Sequence, residues 1–490
     1  MQLNTTPSVS QHIDQIEAPH EFREKLIAFS LAFFLFFALS QLKNVTTFPF
    51  DSGGYWRLSN LTSFFGDAKN IRGYVYPLIL FPSRSLAEVS GDFGHYPYRI
   101  ASSLIYAFLL TNLLPSFYQR IFGGTISIGR RLVVPLFMAT LMPGLIIYPL
   151  SDLPALLMLI GSIYMLFRFS SSGHTGRSML MLILAGVLAG AAYNTRTIYI
   201  FSVACILLSI PLILLARQLP KTRILATLAF IAGLAVVSAP QALINLKIKG
   251  RFTPLVISSI TGESLFAQQL LWGITMQRYE TSIDPSAPAP TRIFHDMAGA
   301  KLLGETYANK RDLSIPAYFS LLAKHPLDFA GIYGRHIVNG LDLRDGDVYV
   351  ADDKRATNAA SLAGFLSLFA CFVIVLRNLE IQMVNGKKLR GNIASYSPAT
   401  YIAPSRRYWY VWLGICLLPV VAIVPGAIET RFFAPVYLLV FSTIAFCFNA
   451  REFWEYCRLR RGFILTFFLS LLVLFFSISL TTQASLRYTL

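Results

Sequence analysis

Charge is scarce in this 490-residue sequence. Only 14% of its residues are Asp, Glu, Lys or Arg, whereas a soluble globular protein carries about 25%. That argues against a soluble enzyme of this length. Cysteine is scarce as well: Cys205, Cys371, Cys416, Cys447 and Cys457 are all there are, and none shows metal-type CxxC spacing. Four fall in apolar runs and the fifth in a basic loop, so free thiols are expected and not a disulfide framework. No HExxH, no P-loop and no GxGxxG after a strand is present. The sequence therefore shows no sign of direct nucleotide use or of a dedicated zinc site. It also lacks a 20–50-residue repeat and the inverted symmetry of many transporters.

Apolar residues are abundant. They make up 54% of the chain, aromatics reach 14% with 39 Phe and 23 Tyr, and mean hydropathy is +0.55. Such a composition excludes disordered and fibrous classes and places the chain in a membrane. A spanning helix needs about 17–25 mostly apolar residues. Eleven segments qualify: 26–42, 100–118, 132–148, 153–168, 178–194, 197–216, 224–245, 359–376, 409–427, 432–449 and 463–480. The first does not read as a cleaved signal peptide, because acidic residues (Asp14, Glu17, Glu21, Glu24) precede it and no small-residue cleavage site follows. The expected fold is an all-α polytopic membrane protein.

Net charge is +17. With residues 1–25 in the cytoplasm, the short cytoplasmic segments hold 20 of the 42 Lys and Arg but 7 of the 25 acids. That is the positive-inside pattern. A nucleic-acid footprint would be one dense patch, and none is seen, so no nucleic acid is expected as a partner. The chain then divides into a transmembrane core over 26–245 with a first outer loop at 43–99, a large outer loop at 246–358, and C-terminal helices over 359–490. Segments 55–66 and 313–341 read as amphipathic helices lying flat on the bilayer. The Pro-rich run 284–290 between them reads as a flexible loop.

Charged residues near the outer ends of the spans are the candidates for chemistry. Asp51, in FPFDSGGYW, suits a general base at a water–lipid boundary, although DSGG also reads as a turn or helix cap. Asp152, in YPLSDLPALL, stands at an N-cap position before Pro154 and can converge with Asp51. Arg196, in AGAAYNTRTIYI, can grip a lipid phosphate bidentately or snorkel to the headgroups. Glu429 and Arg431, in IETRFFAPVY, are a lone charged pair at membrane depth. Such residues tend to be functional, and a turn-fixing salt bridge is the alternative. SSITGES (258–264) offers Gly262 backbone near an anion and Glu263 as a metal or sugar ligand, although an exposed loop Glu is the better reading of Glu263. His325 and His336 read as surface-helix histidines more readily than as catalysts.

In this order, these motifs resemble those of the membrane-embedded glycosyltransferases of the GT-C class. The nearest in character are bacterial polyprenyl-phosphate-sugar transferases, protein O-mannosyltransferases and the aminoarabinose transferase of lipid A. FPFDSGGYW, RGYVYPLIL, YPLSDLPALL, AGAAYNTRTIYI, RFTPLVISSITGESLF, HPLDFAGIYGRH and IETRFFAPVYLLV carry the resemblance from about 26 to 449. It implies a sugar donor on a polyprenyl phosphate, used at the periplasmic face of a bacterial inner membrane, with a glycan, lipid or protein as acceptor. It implies Asp51 as base, Asp152 as a residue shaping the catalytic site, and Arg196 and Arg431 as holders of the lipid phosphate. Arg72, Glu429 and His336 stand in matched motifs and join them as donor-site candidates. No cofactor is required. A divalent metal on Asp51, Asp152 and Glu263 is possible, though an arginine clamp makes it dispensable. One departure is that Ser52 follows Asp51 where many relatives have a second acid, which leaves the subfamily open.

Two rivals remain. A lipid-linked polysaccharide polymerase or ligase would also have about a dozen spans, but no base Asp in the first loop. A lipid or glycan transporter would carry charges or broken helices in mid-span, whereas here the charges gather at span ends.

Overall fold

The computed structural model describes residues 19–43, 45–60, 62, 72–91, 94–123, 125–171, 176–216, 218–257, 259–260, 263–307, 314–352, 357–391 and 406–488. The chain is a mainly helical, polytopic membrane protein. Nine helices among the described residues are long and apolar enough to cross a bilayer: His20–Leu42, Tyr96–Phe122, Asp152–Phe169, Ser178–Thr195, Thr197–Leu214, Pro220–Lys249, Asn358–Ile381, Thr430–Cys447 and Arg461–Ala484. Eleven spans were expected. The segments at 132–148 and 409–427 form shorter helices, Ile128–Leu141 and Arg407–Ile423. The first stops at Met142 before Pro143, whose ring cannot continue the hydrogen-bond ladder, and resumes as Gly144–Ile147. The second ends before Pro425 and Gly426, where the chain turns away. The five cysteines are all free.

The bundle has two distinct ends. At one, Arg130 reaches the carbonyls of Phe446 and Phe448, and Arg377 pairs with Glu452 at 2.5 Å. At the other, Lys43 pairs with Asp347 at 3.0 Å and Tyr148 packs edge-on against Tyr349. This second end gathers the candidate residues and is called the site end below. Thr430–Cys447 is the most enclosed helix, with 78% of its apolar window buried, whereas Arg461–Ala484 is only 17% buried. Phe463, Leu465, Val473 and Leu480 on the latter are exposed, as lipid-facing residues would be. Helices Ser178–Thr195 and Pro220–Lys249 meet backbone to backbone. A Cβ on Gly186 would strike the Phe230 carbonyl, and one on Gly233 that of Ile183, so small residues set this crossing.

The long segment after Lys249 folds into a unit at the site end. Helices Ile315–Lys324 and Pro326–Gly340 form there. Tyr318, Leu321, Phe329 and Ile332 on them pack against Leu270, Ile274 and Leu302. Their apolar faces thus serve a small core, and Phe319, Leu327 and Ile337 remain exposed. The unit also holds a four-stranded sheet that the sequence reading did not anticipate. Its spatial order is Tyr349–Val350, Met276–Ser282, Thr291–His295, Leu486–Tyr488. Met276–Ser282 and Thr291–His295 are antiparallel, with a register shift between Met276 and Arg278. Tyr349–Val350 joins in parallel, and Leu486–Tyr488, just after the last span, pairs with Thr291–His295. The Pro-rich run 284–290 is the connection of this hairpin. Of the helix expected over 55–66, Phe50–Leu58 is present, while 61 and 63–66 lie outside the described residues.

Candidate functional site

Asp51 sits in the first turn of Phe50–Leu58. The chain enters this helix through Pro49 in extended conformation and Phe50 at φ 46°, a left-handed value uncommon for a bulky residue. Such backbone persists where the surroundings over-determine it. Here the Ser52 amide donates to Tyr349 Oη at 3.2 Å, and Ser52 Oγ donates to the Pro49 carbonyl. The Asp51 side chain does not cap the helix. Its carboxylate lies between two guanidiniums: Arg72 Nη2 is 2.5 Å from Oδ1 and Arg431 Nη2 is 2.7 Å from Oδ2. The side chain is still 43% exposed, so an incoming group can reach it.

Each arginine is held by its own surroundings. Arg431 opens the enclosed Thr430–Cys447 helix, and its Nε donates to Glu429 Oε2. Its guanidinium lies 5.6 Å from the Phe432 ring. Arg72 stands over the Tyr55 ring at 4.7 Å, and Tyr55 Oη donates to Ser151 Oγ at 3.0 Å. The next residue, Gly73, approaches Asn194 so closely that any Cβ would strike its carbonyl. Asn194 Oδ1 in turn accepts from the Val75 amide at 2.8 Å. A larger residue at 73 would lift this strand of chain, and Arg72 with it.

Asp152 starts Asp152–Ser171 and is buried. Arg196 Nη1 lies 3.0 Å from its Oδ2, and the Arg196 guanidinium is 4.8 Å from the Phe432 ring. Phe432 thus packs under Arg431 and Arg196 together. The fold therefore gathers Asp51, Arg72, Asp152, Arg196, Glu429 and Arg431 into one cluster of three acids and three arginines, drawn from five separate stretches of chain. Enclosure by protein raises the Asp51 carboxyl, but the Arg431 and Arg72 guanidiniums outweigh this and hold it well below the usual carboxylate range. Glu429 behaves oppositely: burial pushes its carboxyl up against the pull of Arg431.

Two of the expected site residues lie elsewhere or outside the described side chains. His336 is buried between strands of backbone, with Nδ1 2.6 Å from the Val424 carbonyl and Nε2 2.9 Å from the Met276 carbonyl. It ties the 424 turn to the sheet and does not join the cluster. Glu263 begins a short strand paired to Ser259–Ile260, but its side chain and Gly262 lie outside the described residues. Among the described residues, no group of three or more His, Cys, Asp or Glu is placed to hold a metal ion. Asp51 and Asp152 face arginines instead.

The sequence reading missed Glu280. It lies on strand Met276–Ser282, fully enclosed, and its Oε1 accepts from Thr430 N at 2.9 Å and Thr430 Oγ1 at 2.6 Å. The Tyr279 amide donates to the Ile428 carbonyl at 3.0 Å. The sheet therefore fixes the turn that carries Glu429 and Arg431. Burial pushes the Glu280 carboxyl up to about 8, against the Arg278 guanidinium. The available signal was MQRYETS and TRIFH flanking a Pro-rich turn, which is a hairpin pattern.

Beside Arg72, at the site end of helix Pro220–Lys249, lies a small cleft with room for about one water molecule, lined by Arg72, Gln241, Ile244, Asn245, Ile248, Lys249 and Ile257. Gln241 and Asn245 are fixed in its wall. Asn194 Nδ2 donates to Gln241 Oε1 at 2.7 Å, and Asn245 Nδ2 donates to the Thr253 and Leu255 carbonyls at 2.7 Å each. The cleft joins cationic groups to isoleucines on a helix whose other face is apolar and exposed at Leu243 and Leu246. Comparison with protein-family models, curated proteins and solved structures finds no match to this chain.

Proposed function

We propose that the chain is a membrane glycosyltransferase that moves a sugar from a polyprenyl-phosphate donor to an acceptor hydroxyl, with Asp51 as general base. The observation that carries this reading is the Asp51 carboxylate set between Arg72 and Arg431 and reachable from solvent. A sugar phosphate has its own leaving group. As the anomeric carbon–oxygen bond breaks, charge builds on the phosphate, and fixed guanidiniums at a low-dielectric boundary stabilise it. The acceptor oxygen bonds to that carbon, and its proton passes to Asp51. One in-line displacement inverts the anomeric centre. Arg196 and Arg431, aligned on Phe432, supply the positive face, and Asp152 orients Arg196. In this reading the site end faces the periplasm of a bacterial inner membrane, and the acceptor is a glycan, a lipid or a protein.

The test is a mass-spectrometric profile of envelope glycans, lipid A and glycoproteins from cells with and without the gene. Loss of one glycoform, restored by the wild-type chain and not by Asp51→Asn, is the expected result. An envelope profile unchanged by deletion would remove the reading.

A further inference from the structure

We propose that Arg72 and Arg431 form an anion site that Asp51 fills with its own carboxylate, and that a phosphate on a polyprenyl chain takes the site over by drawing Arg72 away from Asp51. The inference rests on the donor chemistry proposed above and adds an order of events to it.

Both carboxylate oxygens of Asp51 are engaged, one by each guanidinium. A carboxylate and a phosphate present the same paired oxygens to an arginine fork, so Asp51 stands where a phosphate would be gripped. The cluster is already balanced, with Asp51, Asp152 and Glu429 against Arg72, Arg196 and Arg431. An arriving anion therefore gains a full charge-assisted contact from these three arginines only by exchange with one of the resident acids. Asp152 is buried and Glu429 is enclosed beside Arg431, whereas Asp51 is the exposed one.

The two arginines are not equivalent. Arg431 is anchored by Glu429 and Phe432 and is only 6% exposed. Arg72 is 21% exposed, and it reaches Asp51 while also lining the cleft with Lys249. Arg72, the more exposed of the two, is therefore the group assigned the exchange, turning on its contact with the Tyr55 ring from the carboxylate toward the ligand. The side chains beside Arg72 suit the ligand class: Lys249 adds positive charge, and Ile244, Ile248 and Ile257 add apolar surface. An anion bearing an aliphatic chain satisfies both. When Arg72 leaves, one oxygen of Asp51 loses its guanidinium and can accept the acceptor's proton. The base is thus masked until the donor is seated, which keeps an empty site from activating water.

The test uses the purified full-length chain in lipid nanodiscs and measures binding of a polyprenyl monophosphate, the matching polyprenol and inorganic phosphate. Asp51→Asn removes the internal competitor and should bind polyprenyl phosphate about ten- to a hundredfold more tightly than wild type, the weight of one charge-assisted contact. Asp51→Ala should shift in the same direction, which guards against a fault peculiar to one variant. Arg72→Ala should bind more weakly, and in that background Asp51→Asn should lose most of its gain. Polyprenol and inorganic phosphate should each bind far more weakly than the polyprenyl phosphate. Wild-type binding with no gain in either Asp51 variant overturns the exchange while leaving the donor reading in place. Equal affinity for inorganic phosphate overturns the lipid assignment. No binding of polyprenyl phosphate by any form overturns the donor reading and the exchange together.

Discussion

Two clusters of acids and arginines lie within the site-end region, and they differ in what surrounds them. In the sheet, Arg278 Nη2 contacts Asp345 Oδ2 at 2.6 Å, Arg292 Nη1 lies 3.4 Å from Oδ1 of the same carboxylate, and Glu280 is 3.6 Å from Arg278. Arg278 has no exposed surface. Around Asp51 the same side-chain types meet at similar distances, but the carboxylate opens to solvent beside a cleft. A fully buried pair cannot exchange partners, because removing one member strands a charge in a low dielectric. An exposed pair can exchange. Identical chemistry thus gives a sealed joint in one place and a solvent-open, exchangeable one in the other.

The largest effect that would test this contrast is on chemistry. Asp51→Asn should lower sugar transfer by roughly 10²–10⁴, the usual weight of a general base, while the unfolding midpoint stays near wild type. Asn preserves size and turn preference. Transfer at wild-type rate by the purified variant would remove Asp51 as base.

The sheet cluster should respond in the opposite way. Arg278→Ala should destabilise by about 3–5 kcal/mol, the penalty for breaking a buried pair, read as a lowered thermal midpoint or poor yield. A midpoint as high as that of Asp51→Asn would show that the two clusters do not differ as described. Smaller again, Arg196→Ala and Arg431→Ala should each weaken donor binding by about 1.5–3 kcal/mol. Lysine at either site should rescue only partly, since an ammonium cannot form the paired N–H grip. Donor affinity unchanged in both would reduce these residues to architecture.

The smallest effect concerns pH. The Glu280 carboxyl is raised to about 8 in the fold, above its usual value of about 4.3 in an open chain. The folded chain holds a proton there that the unfolded chain releases, so this group favours folding below that usual value. Its contribution declines as pH rises toward 8. Thermal midpoints should therefore slope downward over that window, and Glu280→Gln should flatten the slope. An identical slope in the variant would assign the dependence to another group.

Much of this was legible from local sequence. Hydropathy located the long helices, because a spanning helix must satisfy its own backbone over about 20 apolar residues. Pro143 and Pro425–Gly426 mark where two further segments fall short of that length. The isolated charges at 51, 152, 196, 429 and 431 were visible because charge in an apolar context is costly. Their partners were not. The turn-cap reading of Asp51 and the N-cap reading of Asp152 are both local, and both side chains instead meet arginines. Asp51 and Arg431 are 380 residues apart, and nothing in either segment encodes the other. His336 illustrates the reverse case: its motif suggested the site, yet its ring is spent between two backbone carbonyls.

The sequence by itself determined that this chain belongs in a bilayer, where its helices run and which few charges stand apart from the apolar runs. Those properties follow from transfer free energy and backbone hydrogen bonding, which act residue by residue. Tertiary structure alone decided that Phe432 aligns two arginines, that Glu280 on a distant strand fixes their turn, and that Asp51 remains open while Arg278 is sealed. Ion-pair strength and exchangeability depend on distance and local dielectric, and only the assembled fold sets those.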